Sequence, residues 1–220
     1  MSIKGVVHVR CPKGCDEADV ELWSFIHGDR DEAIRESLLA GDLNIVRCEE
    51  CGTFFFPECT VVYSDQRAEL LAFVFPESYA ADEVRWRAKM NEDFEIMQRA
   101  FGGRMPLAET PQLLFGMESL REILQSDDDL EDEVLVARHL LEKMGWKMRP
   151  VLRSFARERR LPRLLPSKSW KEGEPFDVSA VAKALKALIQ ENDRLEGYAR
   201  WLKSLESEVP PPAAAKQGVH

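Results

Sequence analysis

The sequence predicts an α+β protein, in which an antiparallel β-sheet with flanking helices precedes a C-terminal helical region. Three observations predict this class. Short runs of β-branched and aromatic residues, several of them alternating with polar residues, dominate up to residue 75. From Tyr79 onward, apolar residues recur every three or four positions, which is the period of a helix. Glycine and proline residues separate the segments and mark the turns between them.

The predicted strands lie in the first 75 residues. They are expected at 4–10, 20–25, 43–47, 53–56, 60–63 and 69–75. The last run is almost continuously apolar, which predicts a central strand that is buried on both faces. A short helix is expected between the second and third strands. Asp29 is its predicted N-cap, Glu32 the capping-box partner, and Gly41 the C-cap.

The predicted helices begin after residue 79. Apolar residues at a helical spacing predict one long helix over 84–101, ended by Gly102-Gly103 and followed by a linker at 105–110. A second helix is expected at 117–126. The acidic triplet 127–129 is interpreted as the cap of a third helix, 130–144, which Gly145 ends.

The C-terminal third is predicted to differ from the rest of the chain. Prolines at 150, 162 and 166 break any long helix in the stretch 146–172. Asp177 is the predicted N-cap of a final helix that runs to about Glu208. The residues beyond it, 210–220, are rich in proline and alanine and predict a disordered tail.

Four of the five cysteines fall in two tight clusters, Cys11-Pro12-Lys13-Gly14-Cys15 and Cys48-Glu49-Glu50-Cys51. Gly52 follows the second cluster and is expected to adopt the positive φ that its turn needs. Zn²⁺ binds four ligands tetrahedrally, and two ligands spaced two to four residues apart can come from one tight turn. The sequence therefore predicts one structural zinc site ligated by Cys11, Cys15, Cys48 and Cys51, in a zinc-ribbon-like sheet. Such a site has all four positions filled and leaves none for a catalytic water.

Other interpretations of the cysteines stay open. Iron in a rubredoxin-like site has the same geometry, and reduced cysteines without a metal are a simpler alternative. A redox pair formed by Cys48 and Cys51 is disfavoured, because Glu49 and Glu50 would oppose a thiolate between them.

Three further residues lie near the two clusters in the sequence. Cys59 is interpreted as a small buried apolar residue rather than a nucleophile. His8 and His27 are alternative metal ligands in principle, but with four thiols present we expect ordinary strand and turn residues.

The chain carries no features of a secreted or membrane protein. Residues 1–5 lack the apolar core of a signal peptide, and no stretch reaches the roughly 18–20 apolar residues of a membrane helix. Grouped cysteines in a reducing compartment favour metal chemistry over disulfides. We therefore expect a cytoplasmic protein with no membrane partner.

The net charge of −9 conceals an asymmetry. Residues 1–137 have a net charge of −16, residues 138–171 of +9, and residues 172–220 of −2. The middle segment has the composition of a nucleic-acid-binding surface, with Trp146, Phe155 and Trp170 between its basic residues. We favour the alternative that it docks on the acidic residues 1–137 of its own chain or of a second copy, because complementary charge is available there.

The final predicted helix carries a heptad pattern. One seam position is occupied by Val178, Leu185, Asn192 and Ala199, and the other by Val181, Leu188, Leu195 and Leu202. A single Asn among apolar seam residues is typical of a coiled-coil dimer. Ile189, Tyr198, Trp201 and Leu205 widen the apolar stripe, which favours packing against a globular body. Both a homodimer and intramolecular packing stay open.

No catalytic or ion-binding motif follows from the remaining sequence. A phosphate-binding loop, a Gly-x-Ser-x-Gly elbow and a His-Glu-x-x-His helix are absent. The acidic run 127–133 departs from an EF-hand, because Asp132 stands at the turn glycine and Arg138 at the bidentate glutamate. The pattern favours a protein that is not an enzyme.

Several motifs together resemble the CpXC domain family of prokaryotic proteins, which is named for paired Cys-Pro-x-Cys motifs. The resemblance covers roughly residues 4–140. It rests on Cys11-Pro12 with Cys15, on 38–44 leading into Cys48-x-x-Cys51-Gly52, on Tyr63-Ser64-Asp65, on 73–77, and on the stretch from Phe115-Gly116 to 130–133. The first cluster has one extra residue, and Glu49 stands where the family has proline. The resemblance implies the fold and the metal site; it does not indicate what the protein does.

These observations predict three regions. A zinc-binding domain is expected at 1–145, a basic and helical region at 146–209, and a tail at 210–220. The leading hypothesis is a non-enzymatic, zinc-stabilised interaction module whose C-terminal region contacts a protein partner. The alternatives are a nucleic-acid-binding regulator that uses residues 138–171, and a thiol redox protein.

Overall fold

The structure is a computed structural model, and it describes residues 1–100, 111–168 and 174–207. Within these ranges no helix is both long enough and apolar enough to cross a lipid bilayer. Five predictions lie outside the described residues: the helix end at Gly102-Gly103, the linker at 105–110, the aromatic residue at 170, the end of the final helix at about Glu208, and the tail at 210–220.

The chain divides into two units, unit 1 from Met1 to Leu124 and unit 2 from Gln125 onward. The domain limits predicted at 145 and 209 stay predictions. The α+β class with flanking and C-terminal helices is confirmed.

Unit 1 is built around a five-stranded sheet. Its strands in the described residues are, in chain order, Ile3–Val9 (β1), Ala18–His27 (β2), Val46–Arg47 (β3), Phe54–Phe55 (β4), Val61–Asp65 (β5), Leu70–Phe75 (β6) and Gln112–Phe115 (β7). The sheet has the order β1-β2-β5-β6-β7, and β3 with β4 forms a separate ribbon. Two pairings in the sheet are antiparallel, β1 with β2 and β5 with β6. The other two, β2 with β5 and β6 with β7, are parallel, so the sheet is mixed.

Helices cover both faces of this sheet. They are Glu32–Ala40 (α1), Glu83–Ala100 (α2), which follows a 3₁₀ turn at Glu77–Asp82, and the start of Met117–Lys143 (α3). All six residues of β6 are buried, as the apolar run predicts for a central strand. Their side chains alternate between two clusters, because successive residues of a strand point to opposite faces. Leu70, Ala72 and Val74 pack with residues of α1 and α3, whereas Leu71, Phe73 and Phe75 pack with Met90 of α2.

The start of α1 differs from the prediction. Asp31, not Asp29, is the N-cap, so the predicted capping box with Glu32 is wrong. The backbone N–H groups of residues 30 and 31 both donate to the His27 carbonyl, and this turn delays the helix. The Asp31 carboxylate accepts hydrogen bonds from the backbone N–H and hydroxyl of Ser2 instead of capping the helix. At the other end Gly41 has φ 81°, which confirms the predicted left-handed C-cap.

Two strands of unit 1 also differ from the prediction. The strand predicted at 43–47 is reduced to Val46–Arg47, because Asn44 has a φ of 62° that no strand residue adopts. The short strand β7 is missed by the sequence pattern. It pairs in parallel with β6, and such long-range pairing has no local sequence signal.

Unit 2 packs helices around a single apolar core. Besides the rest of α3, its elements are Lys147–Pro150 (β8), Arg153–Glu158 (α4), Leu164–Ser167 (β9), Val178–Glu191 (α5) and Glu196–Glu206 (α6). The pairing of β8 with β9 is antiparallel. Tyr198 and Trp201 are fully buried, and each polar tip has a partner. The Tyr198 hydroxyl donates to the Leu164 carbonyl at 3.1 Å, and the Trp201 Nε1–H donates to the Pro162 carbonyl at 2.7 Å.

The acidic run 127–133 lies inside one continuous helix. The prediction of two helices, at 117–126 and 130–144, with an acidic cap between them is wrong, since α3 runs from Met117 to Lys143. Two carboxylates of the run form ion pairs with arginines from elsewhere in unit 2. Asp127 pairs with Arg157 at 2.8 Å, and Glu131 pairs with Arg163 at 2.8 Å.

The final predicted helix is broken. Asn192 is extended, with φ −150° and ψ 102°, so α5 ends at Glu191 and α6 starts at Glu196. The carboxylate of Glu133 accepts a hydrogen bond from the Gly197 N–H at 2.8 Å, which fixes the second start. The predicted N-cap at Asp177 is confirmed by a 3.0 Å hydrogen bond from the Ala180 N–H. The prediction of one continuous heptad helix is therefore wrong, and its seam residues Val181, Leu185, Leu188 and Leu195 lie in the core of unit 2.

Several arginines of the basic segment are engaged inside unit 2. Arg149 is only 2% exposed, and its guanidinium donates to the Glu174 and Pro175 carbonyls. The same guanidinium lies 4.1 Å from the centre of the Phe176 ring, close enough for a cation–π contact. Together with the Arg157 and Arg163 ion pairs, these contacts match the docking in cis that the charge pattern favours.

Replacing Leu188 by alanine tests the packing of the broken helix. Leu188 is fully buried in unit 2, so we expect a loss of about 2–5 kcal/mol in the free energy of unfolding of this unit. The loss is measured by urea denaturation at several protein concentrations. A core position predicts no dependence on concentration, whereas a dimer seam predicts a strong one. Leu135→Ala, at an exposed position of α3, is the matched control and should change stability by less than about 0.5 kcal/mol.

Glu131→Gln tests the ion pair with Arg163. The hydrogen bond from Arg163 lowers the pKa of Glu131 below its ordinary value of 4.5. The charged form therefore stabilises the fold above that value, and this contribution is lost as the pH falls through the lowered pKa. We expect the variant to be less stable than wild type by up to about 1 kcal/mol at neutral pH, because both groups are partly exposed. The difference should disappear in acid, and Glu142→Gln on the exposed side of α3 should show neither effect.

Candidate metal centre

The first cysteine cluster forms the loop of the β1–β2 hairpin. The last antiparallel pair before the loop joins Val9 to Ala18. Gly14 has φ 81°, and its N–H donates to the Cys11 carbonyl at 2.9 Å, which closes a tight turn. The Lys13 N–H donates to Cys11 Sγ at 3.4 Å. The backbone of this turn, the first knuckle, therefore orients Cys11.

The second cluster forms the loop of the β3–β4 ribbon. Beyond the pair Arg47–Phe54, the Cys48 N–H donates to the Thr53 carbonyl and the Gly52 N–H to the Cys48 carbonyl, both at 2.9 Å. Gly52 has φ 71°, so the left-handed conformation predicted for this position is confirmed. This second knuckle reverses the chain within the few residues between Cys48 and Thr53.

The two knuckles bring four thiols together. The Sγ atoms of Cys11, Cys15, Cys48 and Cys51 all lie within 4.8 Å of one another, and those of Cys11 and Cys51 are 3.6 Å apart. A tetrahedral ion with metal–sulfur bonds of about 2.3 Å holds its sulfurs about 3.8 Å apart. The spacing therefore fits one tetrahedral ion.

A direct hydrogen bond also joins the knuckles. The Asp16 N–H, next to the first knuckle, donates to Glu50 Oε1 in the second at 3.1 Å. Burial across the cluster is graded, since Cys11 is buried, Cys15 and Cys48 are half-buried, and Cys51 is exposed. The ligand atoms thus approach the surface on the side of Cys51.

The thiols differ in acidity. Hydrogen bonds from the hydroxyl and then the N–H of Thr53 lower the pKa of Cys51 to about 6. The pKa of Cys15 is raised, first by its hydrogen bond with Cys51 and then by burial. The Thr53 donors therefore favour a thiolate at Cys51. The expectation that Glu49 and Glu50 disfavour a thiolate stays a prediction. A metal–thiolate bond requires the deprotonated form that Thr53 stabilises.

The other residues named from the sequence lie outside the four-thiol cluster. Both ring nitrogens of His8 contact carboxylates at 2.8 Å, Nδ1 with Asp19 and Nε2 with Glu17. His27 Nδ1 is buried and has no hydrogen-bond partner among the described residues. Cys59 is half-buried against the core of unit 1, where burial raises its pKa. In the described ranges no other group of three or more metal-binding side chains gathers as the four cysteines do.

Asn44 positions the second knuckle, and the sequence interpretation missed this role. Its Oδ1 accepts a hydrogen bond from the Trp23 N–H at 2.8 Å, and its Nδ2 donates to the Trp23 carbonyl at 2.9 Å. The amide side chain thus pairs with β2 as a neighbouring strand would. Asn is among the few residues that tolerate the left-handed backbone found here. The sequence signal for this role was the position of Asn44 between Gly41, which ends α1, and the cysteines of the second knuckle.

The fold and the site define an α+β protein with a four-cysteine centre formed by two knuckles. A family model described as "CpXC protein" matches residues 9–137, which is more than half of the chain. The chain belongs to the CpXC family. The matched region contains all four clustered cysteines. No curated protein and no solved structure matches the chain.

Asn44→Ala tests the positioning role. The variant loses both hydrogen bonds to Trp23 and places alanine in a left-handed conformation, so we expect unit 1 to lose about 2–4 kcal/mol of stability. Urea denaturation measures the loss. Asn44→Asp keeps the acceptor but removes the donor, and should fall between alanine and wild type. Asn91→Ala, at an exposed position of α2, should be neutral. Equal stability of Asn44→Ala and Asn91→Ala would contradict the role.

Proposed function

We propose that this CpXC protein is a zinc-stabilised, non-enzymatic interaction module. The observation that supports the proposal most directly is the convergence of four thiols from two distant loops. Four cysteine side chains that share no ligand are not expected to cluster in this way. Binding to one metal ion requires such a cluster. The ligands would be Cys11, Cys15, Cys48 and Cys51.

The chemistry of the donor set is compatible with zinc. Four sulfur donors in a tetrahedral arrangement are typical of zinc or of iron. A bound zinc supplies a crosslink whose binding energy contributes to folding, because the unfolded chain has no preformed site. The chain itself orients the sulfurs through the N–H groups of Lys13 and Thr53. Iron is the alternative with the same ligands, and metal analysis separates the two.

A closed four-thiolate centre argues against catalysis at the metal. Catalytic zinc sites keep a position for water or substrate, and four cysteines leave none. The redox alternative requires Cys48 and Cys51 to act as a pair apart from the other two thiols. The short distance between Cys11 and Cys51, which belong to different knuckles, favours a four-membered set instead. The proposed role of the centre is therefore structural.

The proposed partner is another protein. A homodimer through the final helix is less well supported, because the predicted seam residues occupy the core of unit 2. Nucleic-acid binding through residues 138–171 is also less well supported, because Arg149, Arg157 and Arg163 have partners within unit 2. A fold that is held rigid by a metal can present fixed surfaces to a protein partner.

Metal analysis of the native protein tests this proposal. We expect one zinc per chain by native mass spectrometry and elemental analysis. Cys11→Ser and Cys48→Ser should each lose the metal and unfold unit 1, since apparent binding energies of about 10–16 kcal/mol are typical of structural zinc. Cys59→Ser should retain the metal, because Cys59 lies outside the cluster.

Thiol alkylation distinguishes the alternatives. In the metal-loaded protein Cys51 should react slowly despite its exposure, and a chelator should accelerate the reaction. Rapid reaction of Cys51 in a folded, metal-free protein would favour the redox alternative instead. One bound iron in place of zinc would keep the structural role and change only the metal.

A further inference from the structure

The β3–β4 ribbon exposes one face on which three apolar side chains lie beside Arg47. Arg47 and Phe54 lie opposite each other in the antiparallel pair. Residues two apart on a strand share a face, so Ile45 and Phe56 lie on the same side as this pair. Ile45 is 42% exposed, Phe54 62% and Phe56 59%. Val46 and Phe55, on the opposite side, are half-buried. Ile45, Phe54 and Phe56 are called the ribbon face from here on.

Such a cluster differs from the scattered apolar residues of an ordinary surface. Exposed residues such as Val84 on α2 occur singly and need no explanation. The ribbon face instead gathers two aromatic side chains and one aliphatic side chain on a ribbon with only two paired positions. Aromatic residues are enriched at the centres of protein interfaces. The arrangement is therefore typical of an interaction surface.

The segment that carries the ribbon face is rich in acidic residues. Residues 42–58 contain the exposed Asp42, Glu49, Glu50 and Glu58, and Arg47 as the one basic residue. Arg47 extends toward the knuckle, since a Cβ added at Gly52 would lie 3.7 Å from its Nη2. A zinc ion with four thiolates adds a net charge of about −2 beside this surface. The surroundings of the ribbon face are thus strongly negative.

We infer that the ribbon face is the docking site for a protein segment that combines apolar side chains with Lys or Arg residues. The apolar side chains of that segment cover Phe54 and Phe56, and its basic residues face Glu49, Glu50 and Glu58. This inference rests on the proposed function and adds the surface and the chemistry of the partner. Complementary charge selects a basic segment and increases its rate of association.

The same charge pattern argues against nucleic acid on this surface. Aromatic side chains beside an arginine can stack with bases, but single-strand binding also needs a basic groove for the phosphates. Residues 42–58 instead carry four exposed carboxylates and one arginine, a balance of charge that repels phosphates. A symmetric dimer through this face is disfavoured on the same ground, because two acidic faces would meet.

Peptide binding to the full-length, metal-loaded protein tests the inference. The probes are fluorescent peptides that carry two aromatic or aliphatic residues flanked by Lys and Arg. Matched peptides have Glu at the basic positions or Ser at the apolar positions. We expect binding only when both features are present, and partial weakening by salt, because the apolar contact remains.

Variants of the ribbon face locate the binding. Phe54→Thr with Phe56→Thr keeps β-forming residues and should weaken binding at least about 10-fold. Glu58→Gln should weaken it by a smaller factor that disappears at high salt. Val6→Thr, at an exposed position of β1, should bind like wild type. Metal content should match wild type in all three variants, so a loss of binding is separable from a failure of the metal site.

Other outcomes would overturn the inference. They are equal binding by wild type and by the Phe54 and Phe56 variant, or no binding of the basic apolar peptides to a protein that holds its metal. Two further results would overturn the inference by assigning a different partner to the ribbon face. A single-stranded oligonucleotide whose binding depends on Phe54 and Phe56 would make the face a nucleic-acid site. Self-association by light scattering that the same variant abolishes would make it a dimer interface.

Discussion

The crowding of four thiols is the constraint on which the first half of unit 1 depends. Their sulfurs lie within 4.8 Å of one another, a spacing at which four thiolates repel strongly unless a cation lies between them. Two loops from different strand pairs must be held in register to reach this spacing. Two contacts within the protein hold the loops in this position. They are the pairing of the Asn44 amide with Trp23 and the hydrogen bond from the Asp16 N–H to Glu50.

In unit 2 charged side chains are held by ion pairs and by backbone carbonyl groups. Its arginines lie against carboxylates of α3 and carbonyl groups near residue 175, and one of them is almost completely buried. Removing one partner of such a contact leaves the other desolvated, so these arginines tie the basic segment to a unique packing. At Arg149, Arg157 and Arg163 the basic composition of the segment therefore serves contacts within unit 2.

The sequence predicted those features whose signals are local. The cysteine spacing, the left-handed Gly41 and Gly52, the Asp177 cap and the buried strand β6 each follow from a few neighbouring residues. Features that depend on distant partners were missed or wrong. Asp127 lies mid-helix because Arg157 neutralises it, and the heptad helix breaks where Glu133 fixes a new start at Gly197. In the site, the cysteines were predictable, whereas Asn44 acts through a contact with Trp23 that no motif encodes.

The shortness of the β3–β4 ribbon has a thermodynamic consequence. Two paired positions cannot sustain an isolated ribbon in water, so its order depends on the knuckle at its end. Any molecule that binds only the ordered ribbon must then increase the affinity of the chain for its metal. By linkage, the metal increases the affinity for that molecule by the same factor. Occupancy of the centre and occupancy of the ribbon face would therefore rise and fall together as the supply of metal changes.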